Sequence, residues 1–60
     1  MKPFMVVYQM EDETKSVTFE NSENGVEFTN YLRDMGYPHE WYTYTEDYGY
    51  IRTRRWPAQI

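Results

Sequence analysis

Sixty residues suffice for one small domain, near the lower limit for folding unaided, because a chain this short buries only about 60% of the surface its unfolded form exposes. There is no cysteine, which excludes disulfide staples, thiolate metal sites and a thiol nucleophile; twelve aromatic residues, seven of them Tyr, must supply the packing instead. Ten acids against six cations give a formal net charge of −4, which disfavours non-specific attraction to phosphate backbones or anionic membranes.

Taken in order, Phe4, Val6, Tyr8 and Met10 alternate with Met5, Val7 and Gln9. This predicts a central strand, apolar on one face and half apolar on the other. The run is too short for a membrane span or the core of a signal peptide, so a soluble, cytoplasmic chain starting at its own Met1 is the expectation. Glu11 to Thr14 reads as a solvated turn. After it Val17 and Phe19 alternate with Ser16, Thr18 and Glu20 in a second strand that forms a hairpin with the first.

Helix-start chemistry follows at residues 21–25. Asn24 with Glu27 three positions later resembles a capping box, and Ser22 is a rival cap. Phe28, Tyr31, Leu32 and Met35 fall on one helical stripe of about three turns, which Gly36 ends in a left-handed cap; Pro38 keeps it from resuming.

From Glu40 to Trp56, aromatic and β-branched residues alternate with polar ones on both sides of an Asp47-Tyr48-Gly49 break. That pattern predicts a second hairpin. The resulting order, strand, strand, helix, strand, strand, gives an α+β domain of ββαββ type: a four-stranded sheet with one helix packed across one face, and a single domain over residues 1–60. This arrangement, with Phe28, Tyr31, Gly36, Glu40, Trp41 and Thr43 at comparable places, resembles the immunoglobulin-binding domain of protein G. The resemblance implies the fold and not antibody binding, because the outer helix face here carries Thr29, Asn30 and Arg33 in place of that family's pattern.

Residues opposite one another in a hairpin share a face, so the loop decides which side chains reach solvent. A three-residue loop Asp47-Tyr48-Gly49, with Gly at the left-handed position, sends Trp41, Thr43, Ile51 and Thr53 under the helix. It leaves Tyr42, Tyr44, Tyr50, Arg52 and Arg54 on the open side, beside Met5 and Val7 if the first and fourth strands are the adjacent central pair. Tyr and Arg are enriched at protein interfaces, since they give large contact area for few frozen torsions. The competing explanation is ordinary cross-strand Tyr packing with Arg stems lying over it.

Chemistry is sparse. His39 is the single His, read as a loop residue after Pro38, and no metal constellation, phosphate loop or nucleophile elbow is present; neither metal nor cofactor is expected, and Glu46-Asp47 reads as a solvated turn. The first functional expectation is therefore a non-catalytic protein-binding module, such as a small phage-type inhibitor or adaptor, docking on a larger protein through the Tyr/Arg face. Homodimerisation through the same face is its close relative. The alternative is single-stranded nucleic-acid binding, with Tyr42, Tyr44 and Tyr50 stacking bases and Arg52, Arg54 and Arg55 holding phosphates. A further reading is acidic nucleic-acid mimicry by Glu11, Asp12, Glu13, Glu20, Glu23 and Glu27. Helix-dipole and edge-protection roles account for those acids equally well.

Overall fold

A computed structural model describes residues 2–58. The elements run β1 (Phe4–Met10), β2 (Glu13–Phe19), α1 (Ser22–Met35), β3 (His39–Thr45) and β4 (Gly49–Trp56), which is the ββαββ order the sequence predicts. The four strands form one sheet in which every neighbouring pair is antiparallel.

The order across the sheet is β2-β1-β3-β4, so the expected central pairing of β1 with β4 does not occur. β1 pairs with β3 instead, Val6 opposite Trp41 and Tyr8 opposite His39. The reason is chemical. With β4 in the centre, Arg52, Arg54 and Arg55 would lie between two strands in the least hydrated part of the sheet, whereas at the edge their charges stay in water and deter pairing with another chain. β2 and β3 flank β1 and run in the same direction, with α1 as the crossover between them.

α1 begins at Ser22, three residues before an Asn24 cap would start it. Its cap is Asn21, neither Asn24 nor Ser22: the Asn21 side chain accepts from the Asn24 backbone N–H at 2.9 Å. At the other end Gly36, with φ of 80°, closes the helix as predicted; its N–H donates to the Arg33 carbonyl and that of Tyr37 to the Leu32 carbonyl.

The helix lies over β1 and β2. Its inward stripe is buried Gly25 and Leu32 with half-buried Phe28; Tyr31 and Met35, expected on that stripe, are about half exposed. The difference follows from a seat centred on β1 and β2, which turns the far flank of the stripe away from the sheet. Val6 and Leu32 are completely buried, and Phe28 packs edge-on to Tyr8 at 5.1 Å and tilted against Phe19 at 5.8 Å. Trp41 reaches across from β3 to the helix at Gly25, where a β-carbon would stand 2.5 Å from the indole Cη2. A glycine inside a helix is costly in propensity; here it is the close approach of the indole that requires it.

The first turn is also tighter than expected. Met10 faces Glu13, so only Glu11 and Asp12 form it, and Thr14 is already in β2.

Candidate protein-docking face

β3 and β4 are rich in aromatic and β-branched residues, whose bulk fits a pleated surface, and they turn through Glu46-Asp47-Tyr48 into Gly49. Gly49 takes the left-handed conformation, φ 73°, as expected for it, but stands opposite Thr45. The loop is thus Glu46-Asp47-Tyr48 and not Asp47-Tyr48-Gly49. The two registers differ by two residues, and a two-residue shift leaves every side chain on the same face. Thr45 braces the turn: its hydroxyl donates to the Gly49 carbonyl at 3.0 Å and accepts from the Tyr48 N–H at 3.1 Å.

Tyr42 therefore stands opposite Arg52 and Tyr44 opposite Tyr50, on the face away from the helix. β1 contributes to the same face through β3: Met5 lies beside Tyr42 and Val7 beside Glu40. The predicted neighbourhood of three Tyr, Met5 and Val7 forms, though through a different strand than supposed.

Arg54 does not join it. The pairing shifts by one residue between Trp41 and Tyr42, leaving Thr53 as the extra residue of a β-bulge in β4. The Thr53 hydroxyl donates to the Trp41 carbonyl at 3.3 Å across this irregularity. Past the bulge the faces exchange, so Arg54 lies opposite Trp41 on the helix side and Arg55 lies opposite Glu40 on the open side. Thr53, expected under the helix, sits at the bulge instead. Ile51 is on the helix side as expected, yet 39% exposed, since α1 does not extend over β4.

Glu40 organises the open face, a role the sequence reading did not assign it. Its carboxylate accepts from the Tyr42 hydroxyl at 2.8 Å and from Arg52 Nη1 at 3.1 Å. The Tyr42 hydrogen bond, followed by the one from Arg52, holds the Glu40 carboxyl below its usual range, and the same carboxylate raises the Tyr42 phenol. Glu40 and Arg55 are directly opposed, which the sequence signals only if the bulge is known. Beyond this triad, Tyr44 and Tyr50 meet edge to face at 5.4 Å, and the Tyr50 hydroxyl donates to the Lys2 carbonyl at 2.7 Å. The outward positions of β3 and β4 between residues 40 and 55 thus carry two guanidinium groups against one carboxylate, on a chain whose overall charge is −4.

His39 is not a loop residue. It opens β3, is 9% exposed, stacks on Trp56 with ring centroids 5.6 Å apart, and donates from Nδ1 to the Tyr37 carbonyl at 2.9 Å. Among the described residues no group of three His, Cys, Asp or Glu is placed to hold a metal ion, and no helix is long and apolar enough to cross a membrane. Of the acids considered for mimicry, Glu11 and Asp12 form the β1–β2 turn, Glu13 pairs with Lys15 at 3.4 Å, and Glu23 and Glu27 lie in the first half of α1.

Comparison with protein-family models, curated proteins and solved structures gave no match. The functional reading therefore rests on this geometry alone.

Proposed function

We propose that the chain is a non-catalytic protein-binding module that docks on a larger protein through the open face of its sheet, with Tyr42, Tyr44, Tyr50 and Arg52 at the centre and Arg55 in the place first given to Arg54. The observation that carries this reading is the cross-strand pairing of Tyr42 with Arg52 and Tyr44 with Tyr50 on a face that α1 does not cover. Three further features support it. The Tyr42–Glu40–Arg52 network freezes long side chains before any partner arrives, which lowers the ordering cost of docking. Tyrosines present both an apolar ring and a polar tip, the combination interfaces favour. A depression of about 510 Å³ beside the network, bordered by Val7, Gln9, Glu40 and Arg55, offers a seat for one partner side chain.

Single-stranded nucleic-acid binding ranks behind this reading. Glu40 already neutralises Arg52 and engages the Tyr42 hydroxyl, so a phosphate there must displace a carboxylate.

Affinity capture from lysate of the source cells, followed by titration of the captured protein, tests the proposal. Tyr44→Ala and Arg52→Ala are each expected to weaken binding by about 1 to 4 kcal/mol with the thermal melt intact. Unchanged affinity in both variants would remove the docking face. Tight binding to a single-stranded oligonucleotide that collapses between low and moderate salt would replace it with the nucleic-acid reading.

A further inference from the structure

The sheet has a second uncovered region, on the same side as the helix. α1 lies mainly over β1 and β2 and meets β3 at Trp41, leaving the helix-side surface of β4 and the adjoining part of β3 as a lane. β3 and β4 together span about 10 Å, so a helix of ordinary diameter laid there would share Trp41 with α1. The floor of the lane is apolar: Trp41 and Trp56 are half-buried, and Ile51 is 39% exposed. Its wall is the flank of α1, where Val26 is 43% exposed. These residues, Ile51 apart, line a groove of about 320 Å³.

The rim of that groove is basic. Arg33, held by its hydrogen bond to Asn30 at 3.0 Å, stands on the helix side and Arg54 on the strand side. No carboxylate lines it, although the chain carries ten. The β-bulge sets which cation stands there: it turns Arg54 out of the Tyr face and into the lane opposite Trp41, and sends Arg55 the other way.

We propose that the lane is a second docking site, and that its occupant is an amphipathic helix of a partner protein whose apolar stripe is flanked by carboxylates. Such a helix would lie beside α1 and complete the second layer over the sheet. Its apolar stripe would cover Trp41, Ile51 and Val26, and its acids would meet Arg33 and Arg54. A second copy of the chain fits poorly. Among the described residues α1 is the single helix and is already seated on its own sheet, and lane-to-lane contact would bring Arg33 and Arg54 of one copy against those of the other.

The test is selection of a displayed library of helical peptides of about 16 residues, long enough to span the strands, against the intact protein. Binding of the enriched peptides is then measured by fluorescence anisotropy. The expected winners carry Glu or Asp on both flanks of an apolar stripe. Ile51→Glu and Arg54→Glu are each expected to weaken them about ten-fold or more, and Tyr44→Ala to leave them unchanged, which separates this site from the opposite face. Replacing by Lys only the acids on the flank that meets position 54, with those facing Arg33 kept, is expected to restore binding to Arg54→Glu. Both changed positions are solvent-exposed, and thermal melts of the variants check the fold; Arg54→Glu with its Lys rescue decides the matter if Ile51→Glu does not fold. The proposal is overturned if no peptide is enriched, or if the winners bind parent and both variants equally. It is also overturned if sedimentation equilibrium finds a dimer that Ile51→Glu dissociates, since the lane would then hold a second copy.

Discussion

Gly25→Ala is the substitution in which local propensity and tertiary packing predict opposite signs. In an isolated helix, replacing an interior glycine by alanine stabilises by about 1 kcal/mol. In this protein the added β-carbon would stand 2.5 and 2.6 Å from Cη2 and Cζ3 of Trp41 and 3.4 Å from Cδ2 of Phe19. Carbon atoms pack best at about 3.5 to 4.0 Å, so the indole must retreat by about 1 Å. It cannot do so by bending one atom aside, because the ring moves as a rigid plate and packs against Phe4 with centroids 5.5 Å apart. Overpacking of this kind costs about 1 to 3 kcal/mol, which outweighs or at best cancels the propensity gain, for a net loss of about 1 kcal/mol. In a domain of this size that lowers Tm by roughly 4 to 8 °C. Circular dichroism melts and urea titrations of Gly25→Ala, Trp41→Leu and the double variant form a cycle that isolates the contact. With the indole gone, alanine should become the better residue at position 25. A single variant Gly25→Ala more stable than the parent would falsify the packing of Trp41 on the helix, and with it the seat of α1.

Two other perturbations have directions set by the structure. Asn21→Ala should destabilise the protein by about 1 kcal/mol in a urea melt, whereas Ser22→Ala should cost little, since the cap bond comes from Asn21; the reverse order would move the helix start. Glu40 has a folded pKa below its ordinary value of 4.5, so its contribution to stability is fully present above that pH and fades as the pH falls through the lower, folded value. Glu40→Gln should therefore flatten the acid limb of the stability profile, below the ordinary carboxylate value. An unchanged acid limb in that variant would mean that Arg52 and Tyr42 do not hold the carboxylate.

Edge placement and charge also connect the two proposed surfaces. β4 carries the arginines because it is an edge strand, and its bulge deals them alternately: Arg52 and Arg55 to the tyrosine face, Arg54 to the lane beside the helix. One irregularity at Thr53 thus decides which arginine each side receives, setting Arg54 beside Trp41 and Arg55 beside Glu40. A strand without it would have gathered Arg52 and Arg54 on one side, as strict alternation predicts.

The order of the elements, the left-handed glycines at 36 and 49 and the outward direction of Tyr42, Tyr44, Tyr50 and Arg52 were all legible in the amino-acid sequence. Each depends on residues close along the chain: hydrophobic period, cap chemistry, and the parity of a turn whose loop lies one position earlier than expected, a two-residue change of register that keeps the faces. The neighbour of β1, the bulge that exchanges Arg54 for Arg55, the bond from Asn21, the seat of α1 over two strands and the contact of Trp41 with Gly25 belonged to the tertiary structure. Three arginines in β4 are the sequence signal of an edge strand. The remainder was beyond local pattern, because which strand joins β1 and where a ladder slips by one residue are decided by competition between whole surfaces for burial, a quantity that exists only once the chain has closed on itself.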